Sequence, residues 1–397
     1  MTEWRKRCLG EITSFMSKGI PPKYVERENE NTVRVLNQKC NRNFEIKYEE
    51  SRLHDCSKKK VPADKMLQPG DVLINSTGTG TAGRVAQLYD VPTPTTIDGH
   101  MILLRPTEEI DSIYYGYAVK AFQSKIETLA EGSTGQTEIN RKRLQEEIVI
   151  SFPKEKETQE RIARFLLNID EKIKMNDKIN KNLEQQAQAI FANEFLSLET
   201  LPEGWKQASL IDIADYLNGL AMQKYRPTAD ESGIPVLKIK ELRQGCCDDN
   251  SELCSPSIKS DYIIHDGDVI FSWSGSLLVD LWCGGICGLN QHLFKVTSSK
   301  YDKWFYYAWT KHHLDRFVAV AADKATTMGH IKRDELAKAE VLIPNEADYN
   351  RIGALLQPIY EMIISNRIEN KKLAATRDTL LPKLMNGEID ISEVDYE

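Results

Sequence analysis

Two long segments of the chain carry apolar residues at helical spacing. From Thr158 to Leu196 there is neither proline nor glycine, and apolar residues recur every three or four positions. Residues 346–397 repeat the pattern, where Gly353 and Pro358 predict a bend or a late start. Each run of about 35–40 residues would measure about 55–60 Å as a helix. The stripe is narrow, which is typical of a coiled-coil seam. The predicted seam residues are Ile162, Leu166, Ile169, Ile173, Asn176, Leu183, Ile352, Leu356, Ile359, Ile363, Asn366 and Leu373.

The segments before these helices, 1–153 and 200–345, alternate short apolar runs with turn signals. This pattern predicts mixed α/β domains. The expected strands are 72–74, 101–104, 149–153, 269–271 and 341–343, and the expected aromatic-rich helices are 112–129 and 303–320.

The second half of the chain repeats the first. Trp4 and Leu9 recur 201 positions later as Trp205 and Leu210. The offset falls to 197 at Gly70 and Gly267, to 192 at Ile139 and Ile331, and to 190 at Arg161 and Arg351. A drift in small steps indicates two copies of one unit that differ by loop deletions.

The order of the repeats also predicts how the helices pair. Parallel helices would require the intervening domain to span their whole length, so we expect an antiparallel coiled coil. In that arrangement the two globular domains would lie at opposite ends of a rod. The predicted domains are 1–153, helix 154–199, 200–345, and helix with tail 346–397. The fold class is α+β, with two pseudo-symmetric domains separated by two long helices.

Composition restricts the class of protein. The 397 residues are 41% hydrophobic and 28% charged, which fits a globular protein. No apolar stretch approaches about 20 residues, and the first ten residues lack an apolar signal core, so we expect a cytoplasmic protein. The four segments hold 22, 8, 16 and 6 Lys+Arg against 21, 9, 19 and 10 Asp+Glu, giving +1, −1, −3 and −4 and the total of −7. None has the positive excess of a solitary nucleic-acid binder.

The eight cysteines are too sparse for a disulfide framework. Cys246, Cys247, Cys254, Cys283 and Cys287 form a loose cluster without a C-x-x-C pair. Buried, unreactive thiols are favoured over a zinc site.

Residues 78–83 match the G-x-G-x-x-G pattern after a predicted strand. A dinucleotide site would need a helix next, but Pro92 and Pro94 follow soon, and the second copy lacks the glycines. A glycine-rich hairpin loop, with backbone N–H groups free to face phosphates or base edges, is the better interpretation. The sequence has no P-loop lysine, no amino-group methylation box and no nuclease motif.

Two repeated polar features are candidates for ligand contact. His100 and His292 each precede a strand, either as structural turn residues or as polar groups presented to DNA. Ser/Thr/Gly-rich residues 133–137 and 326–329 precede basic helix starts at Arg141 and Lys332, a pattern that suits phosphate binding. The aromatic helix around His312 is expected to be core.

Several segments resemble the specificity subunit of type I restriction–modification systems. Residues 201–205 (LPEGW) look like that family's domain opening, and 69–74 (PGDVLI) and 266–270 (DGDVI) like its mid-domain strand. Residues 169–173 (IDEKI) with Asn176 resemble its first spacer helix, and 380–389 (LLPKLMNGEI) its C-terminal ending. The first copy departs from the pattern, since Trp4 lacks the Leu-Pro-Glu-Gly lead.

The resemblance implies a non-catalytic subunit that reads a bipartite, asymmetric target in double-stranded DNA. Each target recognition domain would read one half-site, and the helices would set the spacing and dock two adenine methyltransferase subunits, and through them two restriction subunits. S-adenosylmethionine, ATP and Mg would be bound by those partners, with no cofactor on this chain and no membrane contact. Two alternatives stay open: a methylation-only system, and a coiled-coil scaffold that joins proteins.

The candidate DNA contacts come from the repeated loops and basic positions. They are Lys39, Asn75, Ser76, Thr77, Thr79, Arg84, His100, Thr134, Gln136, Arg141, Lys142, Lys224, Lys240, Trp273, Ser274, Ser276, Gln291, His292, Thr326, Thr327, His330 and Lys332. No catalytic residue and no metal ligand are assigned.

Overall fold

The computed structural model describes residues 3–132, 137–323 and 333–391. The chain divides into two compact units, each of which takes part of both long helices. Unit 1 comprises Met1–Glu171 with Ala374–Glu397, and unit 2 comprises Lys172–Leu373.

Unit 1 holds the first set of strands and short helices. In chain order these are β1 Trp4–Cys8, β2 Thr13–Lys18, β3 Tyr24–Val25, β4 Thr32–Leu36, β5 Asn41–Arg42, β6 Glu45–Ile46, β7 Arg52–Asp55, β8 Val72–Asn75, β9 Val85–Gln87, β10 Thr95–Ile97, β11 Met101–Pro106, α1 Ser112–Ala121, α2 Gln123–Glu127, β12 Ala130–Glu131, β13 Glu138–Ile139, α3 Arg141–Glu147 and β14 Val149–Pro153. The first long helix, α4, runs from Lys156 to Phe191 and is followed by a π-helical turn, Ala192–Leu196.

Two four-stranded sheets form the centre of unit 1. One has the order β2-β11-β8-β9 and the other β10-β4-β7-β3, while β1 pairs with β14. In the first sheet every neighbouring pair is antiparallel, whereas β10 runs parallel to β4. The core of the unit packs Tyr114, Tyr115 and Tyr117 of α1 with residues of both long helices, Leu166 and Leu384 among them.

Unit 2 repeats this plan. Its elements are β15 Lys206–Ser209, α5 Leu210–Ile213, β16 Asp215–Asn218, β17 Ile234–Leu237, α6 Ile239–Gln244, β18 Leu253–Cys254, β19 Ile263–Ile264, β20 Val269–Ser272, β21 Leu278–Leu281, β22 Cys287–Leu289, β23 Leu293–Thr297, α7 Lys303–His312, α8 Leu314–Asp323, α9 Arg333–Ala337, β24 Glu340–Ile343 and α10 Glu346–Met385. The sheet orders are β16-β23-β20-β21 and β18-β17-β22-β19, and β15 pairs with β24.

The strand register shows that the sheets of the two units correspond. The parallel pair Ile97↔Leu36 in unit 1 matches the parallel pair Leu237↔Leu289 in unit 2. The unit 2 core is built from aromatic side chains of α7, including Trp304, Phe305 and Trp309, which pack on both long helices. The expectation that the aromatic helix is core is therefore confirmed.

The same turn starts the central strand of each unit. Gly70 and Gly267 have φ of 90° and 86°, a left-handed conformation that glycine adopts without a Cβ clash. The following aspartates cap the turn, since Asp71 accepts from the backbone N–H of Gln68 and Asp268 from that of His265, at 2.8 and 2.9 Å. Asp71 also pairs with Arg105 of β11, and Asp268 pairs with Lys295 of β23, in each unit on the strand next to the central one. These ion pairs fix where β8 and β20 begin.

The two long helices run antiparallel within each unit, as predicted. In unit 2, Asn176 donates to Asn370 at 2.8 Å, and Asn366 donates to Asn180 at 2.9 Å, so one residue number rises as its partner's falls. In unit 1, Asp170 of α4 pairs with Arg377 of α10. The Asn side chains satisfy one another inside the seam, which fixes its register.

The predicted seam residues all face inward to some degree. Ile162, Leu166, Asn176, Ile352, Leu356 and Ile363 are buried, and Ile169, Ile173, Leu183, Ile359, Asn366 and Leu373 are partly buried. Of the two alternatives predicted for the second helix, a bend or a late start, the late start is wrong, because α10 begins at Glu346 and continues through Gly353 and Pro358. Gly353 lies against the indole of Trp304, where a Cβ would be 3.0 Å from Nε1, so glycine allows the helix to approach this ring.

Most predicted elements are present, with one systematic difference. The segments expected as single helices, 112–129 and 303–320, are each two helices, α1 with α2 and α7 with α8, broken at Phe122 and at His313. Among the described residues, no helix is long and apolar enough to cross a membrane.

Candidate functional site

A turn with a histidine is built in the same way in both units. His100 follows β10 and its backbone N–H donates to Asp98 Oδ1 at 2.9 Å. His292 follows β22 and its backbone N–H donates to Asn290 Oδ1 at 3.2 Å. Parallel bridges join Ile20 to Asp98 and Leu220 to Asn290, so the turns are held from the other side as well. Burial raises the pKa of Asp98, whereas Asn290 is neutral.

Each histidine ring is tied to the loop of a neighbouring hairpin. Hairpin loop 1, residues 76–84, joins β8 to β9, and hairpin loop 2, residues 273–277, joins β20 to β21. His100 Nδ1 lies 2.8 Å from Thr77 Oγ1, and His292 Nδ1 lies 3.1 Å from Ser274 Oγ. We call these the His–hydroxyl pairs. They place an imidazole beside a hairpin loop twice in one chain.

In hairpin loop 1, buried amides support the exposed residues. The Asn75 side chain donates to the Gln38 carbonyl at 3.1 Å and accepts from the Asn41 side chain at 3.2 Å. The backbone N–H of Ser76 donates to the His100 carbonyl, and the Ser76 carbonyl accepts from the N–H of Ile139. Both side chains are 0% exposed. Both residues therefore support hairpin loop 1 from inside, and their direct contact with DNA stays a prediction. Thr77 is partly exposed, and Thr79 is exposed near the tip.

Hairpin loop 2 is supported differently. The buried Ser272 hydroxyl donates to the carbonyl of Ser276 at 2.9 Å, which closes the loop from inside. Ser274 is only 3% exposed and its hydroxyl lies against His292, so its direct contact with DNA also stays a prediction. Trp273 is partly exposed, and its Nε1–H donates to Asn218 Oδ1 at 3.0 Å. Ser276 remains exposed at the tip.

Among the basic and polar candidates, exposure varies. Lys39, Arg141, Lys142, Lys224 and Lys240 are exposed. Lys240 pairs with Asp248 at 3.3 Å. Arg84 and Gln291 are half-buried. The Arg84 guanidinium donates to the Gly80 carbonyl, and Gln291 Nε2 lies 3.4 Å from His292 Nε2. Thr134, Gln136, Thr326, Thr327, His330 and Lys332 lie outside the described residues.

The glycine-rich motif is a hairpin loop, as predicted. β8 and β9 are antiparallel neighbours, which excludes the strand–helix crossover of a dinucleotide fold. All eight cysteines are free thiols. Across residues 3–132, 137–323 and 333–391, no three His, Cys, Asp or Glu side chains come together as metal ligands.

The structure adds residues that the sequence alone did not single out. Lys18, at the end of β2, pairs with Glu138, whose backbone bridges Thr77 of hairpin loop 1. Asn218, at the end of β16, occupies the corresponding place in unit 2 and holds Trp273. The signal available was the repeat itself, because Lys18 and Asn218 stand 200 positions apart at the ends of equivalent strands.

Comparison with known proteins identifies relatives over nearly the whole chain. The type I restriction modification DNA specificity domain matches residues 1–185 and again residues 202–375. The chain is 27% identical over 307 residues to the type I restriction enzyme MjaIX specificity subunit of Methanocaldococcus jannaschii, covering 71% of this chain and 69% of that protein. It is 20% identical to the HindI specificity subunit of Haemophilus influenzae, covering 98% and 100%.

A solved structure shares the fold. The type I restriction–modification S subunit from M. genitalium superposes with a TM-score of 0.57 at 17% identity, covering 98% of this chain and 97% of that one.

Proposed function

The chain belongs to the type I restriction modification DNA specificity family, and we propose that its two units each read one part of a bipartite, asymmetric sequence in double-stranded DNA. The observation that carries this proposal is the His–hydroxyl pair, which is built twice beside a hairpin loop. One reading element per unit is what a two-part target requires. The loops differ, GTGTAG at 78–83 against SGS at 274–276, so the two parts of the target differ in sequence.

The chemistry of the two sites supports reading of base edges. Imidazole, hydroxyl and amide groups on Thr77, His100, Gln291 and His292 can donate to or accept from the major-groove edges of bases. Lys39, Arg141, Lys142, Lys224 and Lys240 are exposed cations suited to phosphate contact. The buried Asn75, Ser76 and Ser274 hold the loops in one conformation, which reduces the entropy lost on binding.

Membership of this family also supports a proposal about the proteins that the chain binds. We propose that the chain is the non-catalytic component of a complex with two adenine methyltransferase subunits, and that S-adenosylmethionine, ATP and Mg are bound by the partners. Met175 of α4 and Leu355 and Met362 of α10 are exposed, with 54%, 46% and 52% of their surface accessible. Apolar side chains on the outer face of a helix pair offer a docking surface for other helices. If restriction subunits join the same complex, the system restricts; otherwise it only methylates.

The test is to purify the chain with its methyltransferase subunits and map the adenines that the complex methylates. We expect one two-part motif with two unlike parts. His100→Ala should relax one part and His292→Ala the other, each by about 5- to 150-fold in discrimination, the range for one base-edge contact worth about 1–3 kcal/mol. His265→Ala, an exposed histidine outside both pairs, is the matched control.

Two results would contradict the proposal. Methylation with no fixed motif would exclude sequence reading by this chain. A motif that both histidine variants leave unchanged would reduce the two rings to structural turn residues and place the reading surface elsewhere.

A further inference from the structure

One arginine of unit 2 connects a long helix to the strand that carries hairpin loop 2. Arg367 of α10 donates from Nη1 to Asp280 Oδ1 of β21 at 2.8 Å and to the Leu281 carbonyl at 3.2 Å. Its Nη2 donates to Glu184 Oε1 of α4 at 2.9 Å. The planar guanidinium therefore binds the strand on one side and the partner helix on the other. We call this group the Arg367 clamp.

The clamp lies a short distance from the loop tip along the chain. Asp280 is opposite Ile270 in the hairpin. Only Leu278 and Val279 lie between Asp280 and residue 277, the last residue of hairpin loop 2, so the two are about 7–10 Å apart along the extended strand. The Ser272 hydroxyl ties the two sides of the loop together through the Ser276 carbonyl. The strand and this hydrogen bond therefore connect Asp280 to the loop that carries Trp273 and Ser274.

Burial makes the clamp stiff. Arg367, Asp280 and Glu184 expose only 27%, 26% and 32% of their side chains, and the buried Tyr307 phenol lies beside them. Charged hydrogen bonds in such partly dry surroundings are stronger than exposed ones and less screened by salt. Asp280 and Glu184 hold the pKa of Arg367 above its usual value against the opposing effect of burial, so the guanidinium stays charged.

Unit 1 attaches its hairpin differently. The strand register places Ala86 opposite Leu73, where unit 2 has Asp280 opposite Ile270. In unit 1, Arg377 of α10 meets Asp170 of α4 and not a strand, and Asp170 accepts a hydrogen bond from the Tyr117 hydroxyl of α1 at 2.6 Å. Among the residues that the structure describes, a direct ionic link from the helices to the reading hairpin is therefore present in unit 2 and not in unit 1.

We propose that Arg367 is a positioning residue that fixes the angle of hairpin loop 2 on the helix pair, so that base discrimination by unit 2 depends on an ion pair outside the loop. This inference rests on the proposed function, because it names the contact that holds one of the two reading loops in place. Base-edge hydrogen bonds weaken steeply when donor and acceptor are misaligned, so a small rotation of the hairpin lowers discrimination before it unfolds the unit.

The variant that tests the clamp is Asp280→Ala, which gives unit 2 the residue that unit 1 carries. The complex with methyltransferase subunits is assayed on DNA with the full motif and with single-base changes in either part. We expect discrimination within the unit 2 part to fall about tenfold, within the range for one contact, while discrimination within the unit 1 part stays within about twofold. Arg367→Lys should be intermediate, since an ammonium group can meet only one of the two carboxylates well.

Arg351→Ala is the matched control. Arg351 also lies on α10 and pairs with Glu194 at 2.8 Å, but its hydrogen bonds do not reach the hairpin. It should leave the discrimination of both parts unchanged. A variant that merely destabilises the protein lowers methylation of all sequences together, whereas a positioning effect changes the ratio between the two parts.

Hydrogen exchange without DNA measures the clamp independently of any reading function. In Asp280→Ala and in Arg367→Lys, amides of 273–281 should exchange about tenfold faster, while those of 72–87 keep their rates. Unchanged exchange at 273–281, or equal loss of discrimination in both parts, overturns the inference. If wild-type complex fails to discriminate sequences while exchange responds as expected, the proposed function fails and the clamp stands.

Discussion

The two units have the same sheets but attach their hairpins to the rest of the unit by different chemistry. In unit 1, β9 is held by neutral contacts, among them the Val85 N–H to Gln123 Oε1 at 3.0 Å and Gln87 Nε2 to the Ser112 carbonyl. In unit 2, β21 is held by the charged Arg367 clamp. The central sheet and the His–hydroxyl pair are repeated, whereas the attachment is not. The comparison separates the features that a reading unit needs in order to fold from those that adjust it.

A second difference lies in the element that comes directly after the strands β4 and β17. In unit 1 the chain forms the hairpin β5–β6, and in unit 2 it forms the helix α6. At the hairpin turn Asn43 and Phe44 have φ of 55° and 64°, which is unfavourable for residues with a Cβ. Phe44 is nevertheless only 6% exposed, and its ring lies 5.3 Å from that of Tyr117. Burial of the ring offsets the backbone strain.

The largest effect is expected from a change in the β5–β6 hairpin of unit 1. Phe44→Ala should destabilise unit 1 by about 3 kcal/mol, since truncating a buried phenylalanine costs about 3–5 kcal/mol and the hairpin can partly collapse. Denaturant unfolding followed by hydrogen exchange in each unit measures it. Unit 2 should keep its protection, and Tyr225→Ala, an aromatic residue that is 39% exposed, is the control. Equal loss of protection in both units would show that the hairpin is not specific to the stability of unit 1.

The next effect concerns the helix break, which is Phe122 in unit 1 and His313 in unit 2. Burial lowers the pKa of His313 to about 4, and its Nε2–H donates to the Glu340 carbonyl at 2.8 Å. Below pH 6.5 the unfolded chain gains a proton that the folded chain does not, so stability is lost as pH falls from about 6.5 toward 4. At pH 5, about 1.5 units below the ordinary histidine pKa, the free energy of unfolding should be lower by about 2 kcal/mol, because each unit contributes about 1.4 kcal/mol.

His313→Gln keeps a donor for Glu340 without a titrating ring, so it should flatten this loss. Burial also lowers the pKa of the neighbouring His312, which adds a contribution of the same sign. Acid unfolding of each unit, followed by hydrogen exchange between pH 4.5 and 7, is the measurement. Loss of unit 1 protection before that of unit 2 would contradict the assignment.

The smallest expected effect concerns a basic residue of unit 1 that is a candidate for DNA contact. Arg141 is exposed at the start of α3, whose N-cap Asn140 accepts from the N–H groups of Lys142 and Arg143. If Arg141 contacts a phosphate, Arg141→Ala should reduce the slope of log affinity against log salt by about one and weaken binding to all sequences equally. Gln145→Ala on the same helix leaves the charge unchanged, so it is the control and should leave the slope unchanged. A change in the methylated motif would instead make Arg141 a base contact.

The elements with a strong local pattern could be predicted from sequence. The long helices, the strands β8 and β20 after their Gly-Asp turns, and the antiparallel pairing all follow from periodicity, turn chemistry and the order of repeats. The breaks at Phe122 and His313 could not, because neither proline nor glycine marks them. The reason for a glycine inside α10 is Trp304, whose indole lies against Gly353 and which is 49 positions away, where a local pattern cannot detect it.

The candidate site could be predicted only in part. The repeat located the turn histidines and the loops, but the sequence could not tell that Asn75, Ser76 and Ser274 point inward, because side-chain direction at a strand end depends on register. The Arg367 clamp joins residues from three elements. Asp280 is 96 positions from Glu184 and 87 positions from Arg367, and no local sequence pattern marks any of the three.

The division of the chain has a consequence for the order in which a ribosome-bound chain can fold. The strands of unit 1 are made before those of unit 2, yet the core of unit 1 includes Leu381, Leu384 and Ile391, and Gly387 lies against Trp4. Unit 2 is complete once residue 373 has emerged. Domains usually fold in the order of synthesis, but here unit 1 must keep apolar positions such as Ile162 and Leu166 uncovered until residues 374–391 have emerged. Loss of the codons for residues 374–391 would therefore damage the unit whose strands are made earlier and spare the one made later.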